Sequence, residues 1–325
     1  MKRLPTRTLA FILFIGVIAA GCTHERPIRP TPRIAGMVFQ EDQFFRLVLF
    51  GMRDAAGKAG VELLEANSNS QPDREIQLVN TYIAQRVDAI VISPLSARAS
   101  VSALSRARDA GIVVVTYNTT IEGDVPSVFV ESDQYHLGAS TGRAARAYIQ
   151  ERLGGKADIA IVTFISRAPE QGHQRTDGFK DQVTELPGVR IVSEQDAWMA
   201  EQAVKKVGDM LTAHPSIQII WAANEGGTVG AVMAVKNTGN AGKVVVFGTD
   251  MSEQLANFLL ADDGVLQAAT GQRPFEIGSL AVDAAARVLR GDSVASKVSL
   301  EGVLLSRDDP EGVRAYKNHL ASLTE

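Results

Sequence analysis

Cysteine is almost absent from this 325-residue chain: Cys22 is the only one, so no disulfide can form within the chain. Its five histidines show no spacing typical of zinc ligands. Neither a GxGxxG loop nor a GxxxxGK[ST] loop occurs, so the usual motifs for dinucleotides and nucleotide phosphates are missing. We therefore expect no metal and no cofactor.

An excess of positive charge is also lacking, since 33 Lys and Arg stand against 37 Asp and Glu, for a net charge of −4. Lys2, Arg3 and Arg7 precede Cys22, and without them 30 basic against 37 acidic residues leave −7. A surface of this sign repels phosphate backbones. We expect no nucleic-acid partner.

The first 22 residues have the pattern of an export signal: a basic head, a short apolar run from Leu9 to Ala20, and small residues leading to Cys22. The run is too short for a comfortable membrane span. Because it ends at a cysteine, it resembles a bacterial lipoprotein signal with Cys22 lipidated. The alternative is a plain cleaved signal with Cys22 incidental. Residues 23–33 carry three prolines and predict an extended tether.

From Ile34 onward, short apolar segments alternate with segments of helical periodicity, including a helix at Pro274 to Leu289 and a final strand at Val298 to Leu305. Such alternation predicts parallel sheets with right-handed crossovers. The strands are too many for one open sheet, so we predict two α/β lobes.

Four polar side chains directly follow predicted strands: Asn118, Asn224, Asp250 and Gln272. Ligands of open α/β sheets bind at the carboxyl ends of the strands. Amides and carboxylates there can pair with the hydroxyls of a neutral polyhydroxylated ligand. Each could instead cap a helix, and Asp250 before Ser252 is the strongest case for a cap.

Arg175 and three aromatic residues, Phe44, Phe45 and Trp198, could complete such a site. The guanidinium offers a donor fork, and the rings offer flat apolar faces for the C–H face of a sugar. The alternative for Phe44 and Phe45 is that both are ordinary core residues.

The segment GASTG at residues 138–142 matches the GxSxG motif of hydrolases and makes Ser140 a candidate nucleophile. That motif needs a strand-to-helix turn, whereas Ser140 lies inside a predicted helix. The small residues more simply allow close helix packing.

Several stretches in order, including QEDQFF, VTYNTT, HQRTDGF, VVVFGTD and TGQRPFEIG, resemble the periplasmic pentose- and hexose-binding proteins of the ribose-binding type. The resemblance runs from Ile34 to about Leu305. It implies an α/β type I periplasmic binding fold, with two Rossmann-like lobes joined by a three-strand hinge near Ser132, Gln272 and Gly302. The expected lobes are residues 34–131 plus 273–301 and residues 132–272 plus 302–325.

The resemblance also implies roles for the site residues. Asp42 stands at a polar ligand position, Phe44 and Phe45 at stacking positions, and Trp198 at the position that covers the other face of the sugar. The hydroxyl-binding positions hold Arg175, Asn224, Asp250 and Gln272.

Two departures from the ribose pattern affect the expected ligand. Asn118 and Thr119 stand where the family has an Asp-Arg pair, and Asp42 replaces an amide. The hydroxyl pattern read here need not be that of ribose, and two carboxylates beside one arginine disfavour sugar acids. We predict a neutral monosaccharide or polyol.

The function implied is capture of that ligand outside the cytoplasm and delivery to an ABC permease by lobe closure, as a lipid-anchored monomer and not an enzyme. The closest alternative is a sugar-sensing subunit for a membrane kinase or chemoreceptor. A hydrolase using Ser140 is a further alternative. The export signal and the lack of N-terminal DNA-binding helices argue against a repressor core.

Overall fold

Twelve strands and ten helices form within residues 31–323, the part of the chain that the computed structural model describes. The predicted export signal, Cys22 and most of the tether lie outside these residues. The strands are β1 Arg33–Val38, β2 Glu62–Asn67, β3 Ala89–Ile92, β4 Val113–Tyr117, β5 Val128–Ser132, β6 Lys156–Thr163, β7 Gly188–Asp196, β8 Ile217–Ala222, β9 Val245–Thr249, β10 Leu266–Gly271, β11 Lys297–Leu300 and β12 Val303–Ser306. The helices are α1 Gln43–Ala59, α2 Pro72–Gln85, α3 Val101–Asp109, α4 Gln134–Arg152, α5 Pro169–Val183, α6 Ala200–Ala213, α7 Glu225–Asn237, α8 Glu253–Leu260, α9 Pro274–Leu289 and α10 Pro310–Ser322.

The strands form two six-stranded sheets, ordered β2-β1-β3-β4-β5-β11 and β7-β6-β8-β9-β10-β12. All neighbours pair in parallel except β10 and β12, which are antiparallel. We call the first sheet with its helices the β1 lobe and the second the β6 lobe. The α/β class with two lobes, predicted from the alternation of strands and helices, is confirmed.

The chain passes from one sheet to the other three times: after β5, after β10, and between β11 and β12. The prediction of a single final strand at residues 298–305 was wrong, because Glu301 and Gly302 divide it between the two sheets. A Cβ at Gly302 would lie 2.4 Å from Leu137 Cδ2 and 2.7 Å from Thr270 Cγ2. A side chain at this position would force Leu137, Thr270 or the crossing segment itself to shift.

Helices cover both faces of each sheet, which explains why central strands such as β3 and β4 are buried apolar runs, whereas the edge strands β2 and β7 are mixed. In the β1 lobe, α1 and α9 pack on one face and α2 and α3 on the other. In the β6 lobe, α6, α7 and α8 cover one face and α4 and α5 the other. No helix within residues 31–323 has both the length and the apolar character required to cross a bilayer.

Helices α4 and α5 approach until their backbones touch. A Cβ at Gly138 would lie 1.9 Å from the backbone oxygen of Arg175, and one at Gly178 would lie 2.2 Å from that of Tyr135. Ser140 is buried within α4, away from any strand-to-helix turn. The small residues of the GxSxG segment therefore serve helix packing, and this contact fixes the height of Arg175 relative to α4.

We expect Gly138→Ala to lower the free energy of unfolding by at least about 1–3 kcal/mol, because a methyl group against backbone forces the two helices apart. Gly208→Ala in α6 is the matched control, since no atom lies within 4 Å of the position that its methyl group would take. That change should stabilise the protein by about 0.5–1 kcal/mol, by lowering the backbone entropy of the unfolded chain. Urea denaturation measures both. A Gly138→Ala variant as stable as the wild type would contradict the packing described here.

Candidate functional site

Arg175, in the second turn of α5, is the centre of a polar cluster beside the carboxyl ends of the β6-lobe strands. Its side chain is only 4% exposed. Nε donates to Gln134 Oε1 at 2.7 Å, and Nη1 donates to the Ala223 backbone oxygen at 2.8 Å and to both carboxylate oxygens of Asp250 at 3.4 Å. The guanidinium carbon lies 5.2 Å from the centre of the Phe164 ring. Several acceptors and an aromatic face thus replace the water that burial removes.

Asp250 follows β9 directly, with a left-handed backbone (φ 69°) that aspartate tolerates better than most residues. Besides Arg175, its Oδ1 accepts from Gln272 Nε2 at 2.7 Å and its Oδ2 from the Glu225 backbone N–H at 3.1 Å. Ser252 caps α8, so the interpretation of Asp250 as a helix cap was wrong. The left-handed turn instead directs the carboxylate toward Arg175.

Asn224 caps α7, accepting from the Gly227 N–H at 3.1 Å, while its Nδ2 donates to the Trp198 backbone oxygen at 2.9 Å. It therefore holds the loop that carries Trp198. The indole of Trp198 is 38% exposed and packs edge-on against Phe164, with ring centres 5.4 Å apart. Phe164 thus connects Trp198 to the guanidinium of Arg175.

The two adjacent aromatic residues of the β1 lobe are placed differently. Phe45 is 3% exposed and lies in the core, with its ring centre 4.4 Å from that of Phe39 and 6.5 Å from that of Tyr117. Phe44 is partly exposed and meets Phe45 edge-on at 5.1 Å. The core interpretation describes Phe45, whereas Phe44 retains an accessible face.

Asp42 caps α1, with Oδ1 accepting from the Phe45 N–H at 2.8 Å and Oδ2 from Gln40 Nε2. Its carboxylate remains exposed. It also acts electrostatically on Glu225 of the β6 lobe, as described below. The negative charge of Asp42, in the β1 lobe, therefore acts on the facing part of the β6 lobe.

Asn118 lies just past β4 with a left-handed backbone (φ 59°), and its Nδ2 is 3.4 Å from Ser93 Oγ. Its backbone oxygen accepts from Gln171 Nε2 at 2.9 Å. Gln171 belongs to α5, so this hydrogen bond joins the two lobes. Thr119, the next residue, is partly buried, and its N–H donates to the Tyr117 oxygen at 2.6 Å.

The electrostatic environment of Glu225, the first residue of α7, reflects both lobes. Glu225 is exposed to solvent, but surrounding atoms restrict its hydration and this raises its pKa. The carboxylates of Asp250 and Asp42 act in the same direction, and a hydrogen bond with Ser252 acts in the opposite direction. Asp42 comes from the β1 lobe and Asp250 from the β6 lobe. Their shared influence indicates that Glu225 faces the space between the lobes.

Three acidic side chains act on one another in this space. Asp42, Glu225 and Asp250 contribute carboxylates, and the Arg175 guanidinium is already paired with one of them. No cluster of three or more metal-ligating side chains occurs within residues 31–323. The arrangement suits a ligand that offers hydroxyl donors and carries no negative charge.

Of the residues predicted from sequence, the structure brings Arg175, Asp250 and Gln272 into direct hydrogen-bonded contact, with Trp198 joined through Phe164. Sequence reasoning missed Gln134, Phe164, Gln171 and Glu225. Phe164 directly follows β6, as Asn118 follows β4 and Asp250 follows β9. The sequence rule considered only polar residues after strands, so it passed over this aromatic residue.

The chain forms two α/β lobes and passes between them three times. Polar and aromatic side chains gather at the carboxyl ends of the strands. These features define a two-lobed ligand-binding protein. The chain belongs to the periplasmic binding protein domain family, whose profile matches residues 36–293. This confirms the resemblance identified from the sequence.

Individual relatives match along most of their length. The ABC transporter periplasmic-binding protein YphF of Escherichia coli (strain K12) is 27% identical over 329 residues, covering 98% of this chain and 100% of that protein. The D-ribose/D-allose-binding protein of Pseudomonas aeruginosa is 28% identical over 309 residues, covering 90% and 94%. The structure of an ABC transporter periplasmic solute-binding protein from Actinobacillus succinogenes, with bound D-allose, is similar with a TM-score of 0.78 at 26% identity, covering 87% of this chain and 100% of that chain.

We expect Glu225→Gln to change how stability depends on pH. A carboxyl group with a raised pKa binds its proton more tightly in the folded than in the unfolded state. Its contribution to stability is therefore present below the ordinary value of 4.5 and is lost as pH rises through the raised value. Glutamine removes this loss, so the melting temperature of the variant should gain on that of the wild type as pH rises above 4.5.

Glu201→Gln, the same change in the first turn of α6, is the control for this series. A constant difference in melting temperature between Glu225→Gln and wild type across the pH range would show that the Glu225 pKa is not raised.

Proposed function

We propose that this protein binds a neutral monosaccharide or polyol in the cleft between its lobes, outside the cytoplasm, and delivers it to an ABC importer when the lobes close. One observation carries the proposal. Arg175, Asp250 and Gln272 form a single hydrogen-bonded set beside the aromatic faces of Phe164 and Trp198. Planar polar groups beside aromatic rings pair with sugar hydroxyls and with the C–H face of a sugar ring.

The relatives support a pentose or hexose. One is described as binding D-ribose and D-allose, and the solved structure from Actinobacillus succinogenes contains D-allose. The β6-lobe part of the proposed site keeps Arg175, Asn224, Asp250 and Gln272. The β1-lobe part departs from the ribose pattern at Asn118 and Thr119, so the sugar is to be identified by measurement.

The charge of the cleft supports a neutral ligand. A carboxylate ligand would enter beside Asp42, Glu225 and Asp250 with one paired guanidinium to receive it. Desolvating an unpaired anion costs several kcal/mol, more than one additional hydrogen bond returns. A hydroxyl group can instead donate to the acidic oxygens and accept from Arg175.

We further propose that the lobes comprise residues 34–131 plus 273–301 and residues 132–272 plus 302–325, which the membership of the two sheets supports over the described range. Lipidation at Cys22, monomeric state and the permease partner rest on the sequence pattern and the family. The proposed ligand residues are Asp42, Phe44, Asn118, Thr119, Arg175, Trp198, Asn224, Asp250 and Gln272. Phe45, expected among them from the sequence, packs in the core and supports Phe44 from behind.

A binding role is favoured over catalysis by Ser140. Ser140 lies within the length of α4, between its first and last turns, and its side chain is buried. The flanking glycines are needed for contact with α5. A nucleophile elbow requires its serine on an exposed strand-to-helix turn.

The test of function is a thermal-shift panel of D-ribose, D-allose, D-arabinose, xylitol and myo-inositol, with D-ribonate as the anionic comparison. A ligand at about 100 times its dissociation constant should stabilise the folded state by about 2.7 kcal/mol, which raises the melting temperature by several degrees. At least one neutral compound should do so and D-ribonate should not. A response to D-ribonate alone, or to none of the six, would overturn the proposal.

Trp198→Ala should weaken binding of the responding sugar about tenfold or more, since an aromatic side chain at a ligand contact often contributes about 2 kcal/mol. The fold should be spared because the indole is already 38% exposed. Met199→Ala is the matched control, because Met199 is the next residue in the chain and its apolar side chain is 56% exposed. Calorimetric titration measures both variants, and equal affinities for the two would remove Trp198 from the site.

A further inference from the structure

Two of the three crossing segments are hydrogen-bonded to each other and to the proposed site. Ser132 ends β5 and Gln272 directly follows β10, and Ser132 Oγ donates to Gln272 Oε1 at 2.8 Å. The other end of the same amide, Gln272 Nε2, donates to Asp250 Oδ1 at 2.7 Å, and Asp250 accepts from Arg175. A path of hydrogen bonds thus runs from the hinge to the guanidinium.

Gln134 closes this path into a ring. Its side chain is 3% exposed, its Nε2 donates to the Ser132 backbone oxygen at 3.1 Å, and its Oε1 accepts from Arg175 Nε at 2.7 Å. Gln134 is the first residue of α4, but Asp133 caps this helix through the His136 N–H. The amide of Gln134 is therefore not required for capping and is committed at both ends to the ring.

The hydrogen bonds of Arg175 show what this arrangement leaves available. Nε is held by Gln134, and Nη1 by Ala223 and Asp250. Nη2 donates to no acceptor within residues 31–323. A planar fork fixed at two of its nitrogens has a fixed direction for the third.

We propose that Gln134 is a positioning residue, which holds the Arg175 guanidinium from the hinge so that Nη2 is directed at a hydroxyl of the bound ligand. The part of this inference that concerns the ligand rests on the proposed function. The positioning itself concerns only contacts within the protein.

The chemistry of the ring explains why an amide suits this position. Glutamine accepts from Arg175 and donates to Ser132 with one uncharged group. Glutamate in its place could accept from Arg175 but could not donate to a backbone oxygen, and methionine, of similar length, could do neither. Gln134→Glu and Gln134→Met therefore separate the two hydrogen bonds.

The first measurement needs no ligand. In a protein labelled with ¹⁵N at arginine, the Arg175 Nε–H is assigned by its loss in Arg175→Lys. We expect a slowly exchanging, displaced signal in wild type and in Gln134→Glu, and its loss or rapid exchange in Gln134→Met. Gln267→Met, the same substitution at a partly buried glutamine of β10, should leave the signal unchanged. An unaltered Arg175 signal in Gln134→Met would overturn the positioning role.

The second measurement is calorimetric titration with D-ribose and D-allose. Gln134→Met should weaken whichever sugar binds by about tenfold or more, Gln134→Glu should bind more tightly than Gln134→Met, and Gln267→Met should equal the wild type. Equal affinity in Gln134→Met and wild type would overturn the role in binding. Absence of binding to wild type would count against the proposed function alone, since the arginine signal tests the positioning separately.

Discussion

A guanidinium removed from water is stable only where oxygens and ring faces replace its hydration, and Arg175 meets this condition through four different segments of the chain. The oxygens come from Gln134 at the start of α4, from Ala223 after β8 and from Asp250 after β9, and Phe164 after β6 supplies the ring. Removing one partner of a buried ion pair generally costs about 3–5 kcal/mol. The carboxyl edge of the β6 lobe is therefore organised around this one charge.

The close packing of α4 on α5 holds the Arg175 guanidinium at its distance from these acceptors. A helix that could slide by even about 1 Å would alter every acceptor distance at Arg175, so the approach at Gly138 and Gly178 is part of the site although neither glycine has a side chain to offer a ligand. Close-packed interiors resist such sliding because they have no free volume to accommodate it. Geometry in the cleft thus depends on a backbone contact made at Arg175 itself.

Sequence patterns predicted the architecture because it depends on local periodicity. The helix Pro274–Leu289 was predicted with its observed bounds, and the strand-end rule found Asp250 and Gln272. The same rule gave no means of separating Asn224, which caps a helix, from Asp250, which does not. Apolar periodicity alone gave one final strand across Glu301 and Gly302, and only the family resemblance placed a crossing there.

Side-chain pairing was the other part beyond the reach of sequence. The ring through Ser132, Gln272, Asp250, Arg175 and Gln134 joins residues up to 140 positions apart. Which amide meets which carboxylate depends on how far each helix is rotated about its axis, and apolar periodicity fixes that rotation only coarsely. Likewise, nothing local distinguishes Phe44 from Phe45, although only Phe45 is enclosed by Phe39 and Tyr117.

The hydrogen bond from Gln171 to Asn118 joins the two lobes without using the side chain of Asn118. The acceptor is the backbone oxygen of Asn118, so this hydrogen bond does not depend on which side chain is present at position 118. The residue needs only to adopt a left-handed backbone. Aspartate, which the ribose pattern has at this position, accepts that conformation as well. The side chain at position 118 can thus change in evolution without loss of this hydrogen bond between the lobes.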